Sequence, residues 1–425
     1  MDGEDGTVCE WVKEVNGTRV NGKRGMNISN MTINRKTWDF IQRHRDEDVR
    51  KLALRGCKDP DVDFPFALQQ IQGKQKAKDK LPDFFANENM LYPPTISMEQ
   101  CSSSQTAKYK ASIVSGDSFA DLSGGVGVDA MALAKVFEQG YYVEPMNELC
   151  ELVYHNANIF NINNLQILNG TMEEMLPTLP EVDVIYLDPS RRNAHGQRVV
   201  TLQECTPDLT QHKEQLLEKA RKLVLVKLSP MLDLKATLAL LPETTAIHVV
   251  AVNGECREIL LLLSHSIPEK IDYHAVNIQN GHISDFQFSN IEEMEAVPAM
   301  AESLGAYLLE PNAAVMKAGG FKCIATRYGL QKLHPHTHLY TCDTPSEDFP
   351  GRQFRIVNHF HFNKKEAAKH LSGIKKANIA VRNFPWSAEE LRKQLKLADG
   401  GGLYLFGATM REGEHTIIVG EKLRP

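Results

Sequence analysis

The sequence FADLSGGVGVDA at residues 119–130 joins a short apolar run to an acidic residue and then to a cluster of glycines. This order is typical of a chain that ends a strand and opens a helix around a nucleotide. Glycines suit a loop that passes close under a ligand, because a Cβ atom there would occupy the ligand's space. The N-terminus of the following helix is electropositive and favours a carboxylate or a phosphate group. The stretch therefore predicts a nucleotide-binding bend.

Strand-like and helical patterns alternate on either side of this bend. Further strands are predicted at YYVEP (141–145), LQILNG (165–170), VDVIYLDP (182–189) and KLVLVKLS (222–229). The run at 246–264 contains two strand-like segments around Asn253-Gly254, which is a hairpin signal. Alternation of this kind predicts an α/β fold with a parallel, doubly wound sheet. The terminal hairpin would make its last strand antiparallel.

The segments outside this core differ in pattern. The stretch PPTISMEQ at 93–100 reads as extended, whereas 64–80 reads as a helix. After residue 270 the strand–helix rhythm is lost, and aromatic residues and histidines increase. We predict a polar tail at 1–34, an N-terminal helical domain at 35–98, the α/β domain at 99–268 and a C-terminal α+β domain at 269–425.

Composition limits the classes of function. The chain has 425 residues and a net charge of −6, and it contains no run of about 18 apolar residues that could cross a membrane. The first residues lack the pattern of a secretory signal, and the eight cysteines show no CxxC spacing, so we expect a reducing, cytoplasmic location. Residues 317–396 carry 15 Lys and Arg against 6 Asp and Glu, which fits either contact with a polyanion or a solvated surface that is basic.

Two nucleotide classes fit the glycine cluster. The pattern G-x-G-x-x-A at 125–130, with Glu144 nineteen residues after Gly125, matches a dinucleotide fingerprint. Asp121 argues against a nicotinamide cofactor, because its carboxylate would face the pyrophosphate, whereas it suits a ligand with an ammonium group. The DPSRR sequence at 188–192 and the terminal hairpin also argue against that class.

Together, DLSGGVG at 121–127, Glu144 and the DPSRR sequence resemble a class I S-adenosylmethionine (SAM)-dependent methyltransferase over residues 100–265. The resemblance implies a Rossmann-like, seven-stranded sheet with a terminal antiparallel hairpin. It implies that Asp121 accepts from the amino group of SAM and that Glu144 holds the ribose hydroxyls. The cofactor-binding residues that it implies are Asp121, Ser123, Gly124, Gly125, Gly127, Glu144, Gly170, Thr171, Met172 and Asp188.

The sequence Asp188-Pro189-Ser190-Arg191 stands where amino-methyltransferases carry an acid or Asn, two prolines and an aromatic residue. The resemblance implies that Asp188 and the Pro189 carbonyl accept hydrogen bonds from an amine and aim its lone pair at the methyl group. Ser190 and Arg191 depart from the family pattern, which weakens the case for a flipped base amine as acceptor. Arg191 and Arg192 are candidates for gripping a phosphate.

The same stretch is similar to the DPPR motif of RNA uracil-C5 methyltransferases. Those enzymes need a cysteine nucleophile just after the fifth strand. Here that position reads KLSPM at 227–231, with Ser229 and no cysteine. A covalent mechanism at uracil C5 is therefore not expected.

The C-terminal sequences YLLEPNAAVMKAGG (307–320), HPHTHLYTCD (334–343) and RNFPWSAEELRKQLKLADGGGLYLF (382–406) resemble a THUMP-like domain. By analogy with THUMP domains, the resemblance implies RNA binding. The candidate RNA contacts are Lys375, Lys376, Arg382, Arg392, Lys393 and Lys396. His334, His336 and His338 alternate along one stretch, but we expect an exposed strand edge and no structural metal.

Three functions remain open. The leading hypothesis is transfer of a methyl group from SAM to a nitrogen of RNA. A methyltransferase acting on a small molecule or a protein is the alternative. A third hypothesis is a non-catalytic RNA-binding protein that retains the fold. The sequence does not indicate an oligomeric state.

Overall fold

The computed structural model describes residues 33–190 and 201–423, so the predicted tail lies almost wholly outside the described residues. The described residues divide into two compact units near Val226, and residues 201 and 202 group with the second unit. No helix in the described ranges is long and apolar enough to cross a bilayer.

The described part of the first unit begins with a group of helices: α1 (Arg35–His44), α2 (Val49–Arg55), α3 (Phe64–Lys80), α4 (Pro82–Phe85), α5 (Thr95–Gln100) and α6 (Ser104–Ser112). Side-chain caps set several starts, and Asp63 accepts from the N–H of Phe66 to begin α3 where the sequence predicts it. The extended structure predicted at 93–100 is wrong, because α5 begins directly after Pro94 and buries Met98.

Parallel strands and helices follow: β1 (Ser118–Asp121), α7 (Val128–Leu133), β2 (Gln139–Glu144), α8 (Asn147–Ile159), β3 (Leu165–Asn169), α9 (Met172–Met175), β4 (Val182–Leu187), α10 (Leu209–Lys219) and β5 (Ala220–Leu228). The strand order is β3-β2-β1-β4-β5, and each pairing is parallel. The chain reverses its direction across the sheet between β1 and β4, where the crevice for a ligand forms in such folds. Asp121 lies opposite Tyr142 of β2 and Tyr186 of β4 in the register.

The second unit contributes α11 (Leu234–Leu240), β6 (Thr244–Val252), β7 (Glu255–Leu263), β8 (Asp272–Gln279) and β9 (His282–Ser289). The predicted hairpin is present, because β6 and β7 pair antiparallel around Asn253 and Gly254, which both have positive φ. The expectation that this hairpin ends the sheet is wrong. β8 pairs parallel to β6, and β9 folds back on β8 through Asn280-Gly281, a second turn of the same kind.

The remaining elements are α12 (Asn290–Glu295), β10 (Ala299–Met300), β11 (Tyr307–Pro311), α13 (Ala313–Ala318), α14 (Phe321–Arg327), β12 (Gln331–His334), β13 (Thr337–Cys342), β14 (Gly351–His361), α15 (Lys364–His370), β15 (Asn378–Arg382), α16 (Ala388–Leu395), β16 (Leu403–Thr409) and β17 (His415–Lys422). Their sheet has the order β10-β12-β13-β11-β14-β17-β16-β15. Phe354, Phe406 and Ile418 are fully buried in its core. The α/β fold class with a C-terminal α+β domain is thus confirmed.

The conformation of the glycine bend yields a test of its packing. Gly127 has φ +75°, and a Cβ atom there would lie 2.7 Å from a methyl group of Val153. We expect Gly127→Ala to lower the free energy of unfolding by about 2–4 kcal/mol, through backbone strain and overpacking together. Gly319, which follows the last residue of α13, is also left-handed, with φ +84° and ψ +17°, and has open space around it, so Gly319→Ala should cost only about 1 kcal/mol. Equal losses in urea unfolding would contradict the clash with Val153.

Candidate active site

The acidic end of β1 is tied to the end of β4 by one serine. The Oδ1 atom of Asp121 accepts hydrogen bonds from the N–H (3.0 Å) and the hydroxyl (3.2 Å) of Ser123. The same hydroxyl accepts a 2.7 Å bond from the N–H of Asp188. Ser123 therefore links the carboxylate of Asp121 to the backbone of Asp188, the predicted catalytic residue.

The acid at the end of β2 contacts the glycine bend from the other side. One carboxylate oxygen of Glu144 accepts the N–H of Gly125 at 2.9 Å, and the other accepts the N–H of Met146 at 2.9 Å. Glu144 is only 7% exposed, and burial raises its pKa above the usual range. Asp121 and Glu144 therefore flank the same bend, as the sequence predicts for the two ends of a nucleoside ligand.

Burial dominates the electrostatics of the bend. It raises the pKa of Asp121 to about 8, although the hydrogen bonds from Ser123 act in the opposite direction; the nearby charge of Asp129 raises it further. A carboxyl group in this state holds its proton at neutral pH until a cation comes close. Two desolvated acids beside one loop suit a positively charged ligand. SAM carries an ammonium and a sulfonium group, so its charge complements these two acids.

Two of the predicted cofactor-binding glycines are required by the packing of the protein itself. A Cβ atom at Gly124 would lie 2.3 Å from the ring of Tyr142, whose hydroxyl donates to the carbonyl of Gly125 at 2.6 Å. Gly127 packs in the same way against Val153. Gly125 differs, because its φ is +54° and the nearest atom to a Cβ would be 3.6 Å away.

The turn after β3 is occupied by a helix cap. Thr171 accepts from the N–H of Glu174, and the Glu174 carboxylate accepts from the N–H of Thr171, so the pair forms a capping box for α9. Met172 is buried, and a Cβ atom at Gly170 would lie 2.5 Å from Met175. The Thr171 hydroxyl is thus engaged within the protein, and contact of 170–172 with adenine stays a prediction.

The predicted catalytic pair follows β4. Asp188 is half-buried, with its N–H bound to Ser123, and Pro189 is buried. Ser190 exchanges two backbone hydrogen bonds with Thr206. Arg191 and Arg192 lie outside the described residues.

A buried ion pair that the sequence does not predict lies beside the bend. Lys110 in α6 lies 3.2 Å from Asp129 in the first turn of α7, and the two side chains are 1% and 11% exposed. A lysine in a helical pattern predicts a solvated face, so no local signal marked Lys110. Only the tertiary packing of α6 against α7 shows that the lysine is buried.

The predicted RNA contacts fall into two groups. The guanidinium of Arg382 binds the buried carboxylate of Glu310 at 2.7 Å, and that of Arg392 binds Asp399 at 2.7 Å. The exposed members are Lys375, Lys376, Lys393 and Lys396. Lys376 forms a β-bridge with Ala398, just after α16, which brings the two lysine pairs to the same end of the domain. We call these four residues the lysine patch.

The structure places the three alternating histidines in different local environments. His334 ends β12 and His336 lies in the turn, while the ring of His338 stacks on Phe321 with centroids 3.5 Å apart. In the part of the chain that the structure describes, no group of three or more His, Cys, Asp or Glu side chains is arranged to hold a metal ion.

Comparison with known proteins agrees with this geometry. The crystal structure of a candidate methyltransferase from Porphyromonas gingivalis W83 superimposes with a TM-score of 0.83 and 32% sequence identity, over 92% of this chain and 98% of that one. The chain belongs to this methyltransferase family. Residues 307–350 match a ferredoxin-like domain, and residues 351–422 match a THUMP-like domain. The predicted resemblance to a SAM-dependent methyltransferase with a C-terminal THUMP-like domain is confirmed.

Two relatives extend the comparison. An uncharacterized SAM-dependent methyltransferase from Mycobacterium tuberculosis H37Rv is 22% identical over 71% of this chain and 79% of its own length. An uncharacterized RNA methyltransferase from Enterococcus faecalis is 33% identical over 108 residues. This chain spans about a quarter of the length of the Enterococcus relative, since the match covers 24% of each chain. The cofactor of the methyltransferase family, SAM, agrees with the predicted cofactor.

The raised pKa of Asp121 predicts a dependence of stability on pH. In the unfolded chain the carboxyl titrates near pH 4, so the folded methyltransferase holds an extra proton between about pH 4 and pH 8. This contribution to stability is complete below pH 4 and is lost as the pH rises through 8. The Asp121→Asn variant has no such titration. Its free energy of unfolding relative to that of the wild type should therefore rise by about 2 kcal/mol between pH 6 and 8.

Urea unfolding at several pH values measures this difference. Asp117→Asn provides the control, because Asp117 is exposed just before the start of β1. Its curve should follow the wild type. A constant difference between D121N and wild type would show that Asp121 is already ionised at neutral pH.

Proposed function

We propose that this methyltransferase transfers the methyl group of SAM to a nitrogen atom of an RNA. The observation that carries the proposal is the hydrogen-bonded chain from Asp121 through Ser123 to Asp188. The chain ends at the backbone N–H of Asp188, so it fixes the strand end that carries this carboxylate relative to the side of the bend that suits an ammonium group. Methyl transfer needs its two reactants aligned more than it needs covalent help from the protein.

Each residue of the site has a distinct task in this proposal. SAM, when bound, supplies an electrophilic methyl group on a sulfonium. Asp121 would bind the amino group, and Glu144 would bind the ribose hydroxyls. Asp188 and the carbonyl of Pro189 would accept hydrogen bonds from the acceptor nitrogen and orient its lone pair. The proton that this nitrogen loses would pass to Asp188 or to water.

The proposed acceptor is RNA because of the second unit and the names of the relatives. The THUMP-like match covers 351–422, which includes the whole lysine patch. Exposed lysines present positive point charges, which suit contact with the phosphate groups of a nucleic acid. The Enterococcus relative, and others from Synechocystis and Clostridium tetani, are named RNA methyltransferases. We also propose a cytoplasmic location, which agrees with the seven free cysteines of the described residues.

Two other functions define the outcomes of a test. If methyl transfer occurs to a small molecule or a protein but not to RNA, the lysine patch serves another purpose. If the chain binds RNA but not SAM, the fold is a scaffold for RNA binding. Transfer of tritiated methyl groups from SAM to total RNA, taken from cells that lack the gene, separates these cases. Mapping the methylated nucleotide then identifies the acceptor atom.

Asp188→Ala should reduce methyl transfer to RNA at least 100-fold, because the acceptor nitrogen loses both its hydrogen-bond acceptor and a route for its proton. The affinity for S-adenosylhomocysteine, measured by calorimetry, should change less than threefold. Asp117→Ala, which lies just before the amino end of β1, should leave both quantities unchanged. Wild-type activity in Asp188→Ala would remove this carboxylate from the mechanism.

The lysine patch predicts how RNA binding responds to salt. Lys375→Ala together with Lys376→Ala should weaken RNA binding and make the slope of log Kd against log salt shallower by about 1.5, from two lost phosphate contacts. Lys364→Ala with Lys365→Ala removes the same charge from α15, where both lysines are exposed. This control should change the slope by less than half as much. Equal effects would indicate a diffuse charge effect instead of a defined RNA surface.

A further inference from the structure

A buried network lies beside the predicted methionine end of the cofactor site. Its centre is the ion pair between Lys110 and Asp129, with a distance of 3.2 Å between Nζ and Oδ1. Lys110 is completely buried, which is rare for a lysine and requires a partner. The pair therefore fixes α6 against the first turn of α7.

The second carboxylate oxygen of Asp129 binds side chains from two other segments of the chain. Its Oδ2 atom accepts the hydroxyl of Ser102 at 2.7 Å and the hydroxyl of Tyr186 at 2.8 Å. Lys110 also donates to the hydroxyl of Ser102 at 3.2 Å. One carboxylate thus connects the segment that precedes α6, the helix after the glycine bend, and β4.

The position of this network relates it to the cofactor site. Asp129 follows Gly127 by two residues, and Tyr186 precedes Asp188 by two residues. Tyr186 is also the register partner of Asp121 across β1 and β4. The network therefore adjoins Asp121, the acid that would bind the amino group, through Tyr186. Glu144 contacts the bend from the opposite side.

We infer that Lys110 is a positioning residue, which acts through Asp129 to hold the walls around the amino-acid end of SAM. The inference rests on the binding of SAM in the proposed function, but not on RNA as the acceptor. The presence of this pair is weak evidence that it serves stability. A buried ion pair contributes little more than well-packed apolar side chains of the same volume, because desolvation offsets most of the attraction.

The test separates the two ends of the ligand. Lys110→Met removes the cation but keeps an unbranched side chain. We expect the Kd for S-adenosylhomocysteine to rise at least fivefold in calorimetry. The Kd for 5′-deoxy-5′-methylthioadenosine, which lacks the amino-acid part, should stay within twofold. Equal losses for both ligands, or tighter binding of S-adenosylhomocysteine, would overturn the inference.

A second variant covers the case in which Lys110→Met destabilises the protein. Lys110→Met combined with Asp129→Asn leaves no unpaired charge, so its Tm should return close to the wild-type value. The affinity for S-adenosylhomocysteine should remain at least fivefold weaker, because Lys110 no longer orients residue 129. If affinity returns together with Tm, the pair only holds the helices together.

A control exists at the amino end of the same strands, where only the carboxylate of the ion pair is buried. Arg221 pairs with the buried carboxylate of Asp183 at 3.0 Å, away from the bend. Arg221→Met should lower Tm without changing the Kd for S-adenosylhomocysteine by more than twofold. If wild-type protein binds this ligand but methylates no RNA, the proposed acceptor is wrong and the inference about Lys110 still stands or falls on the binding data.

Discussion

The burial of Asp121 at the end of β1 is the constraint on which the rest of the site depends. A desolvated carboxyl group must be hydrogen-bonded, neutralised by a proton or matched with a cation. Ser123 supplies the hydrogen bonds, and in doing so its hydroxyl also fixes the backbone of Asp188. The bend must therefore turn sharply within two residues, which places Gly124 against Tyr142. One buried acid thus determines both the path of the loop and the position of the next strand end.

The pKa values of the buried acids shift in opposite directions at the two ends of the parallel strands. At the amino end of β4, Arg221 lowers the pKa of Asp183 to about 2, and two backbone N–H groups add to this effect. At the carboxyl end of β1, burial raises the pKa of Asp121 to about 8. The first arrangement completes an ion pair and has no need of a ligand. The second leaves a desolvated acid that a cation would complement, which favours this edge as the candidate site.

Much of the fold was predictable because its signals are local. The glycine bend, helix α3 and the turn at Asn253-Gly254 each follow from a few adjacent residues. The turn at Asn280-Gly281 carries the same signal, but the seven-stranded sheet that the family resemblance implies has no place for a further hairpin. The acids of the site were predictable from their places at strand ends. The ion pair of Lys110 was not, because its burial depends on how two helices pack.

The C-terminal basic segment shows why a count of charges overstates a binding surface. Glu310 is 2% exposed, and it engages the guanidinium groups of both Arg382 and Arg352. These partly exposed arginines neutralise a buried carboxylate, and Arg392 is engaged by Asp399. The cations of this set that stay exposed are lysines, which act as point charges and lack the fork geometry that reads a base edge. A lysine surface binds the backbone of RNA without selecting a sequence. Under the proposed function, the choice of nucleotide must therefore come from the residues around Asp188, where the family's second proline is replaced by Ser190.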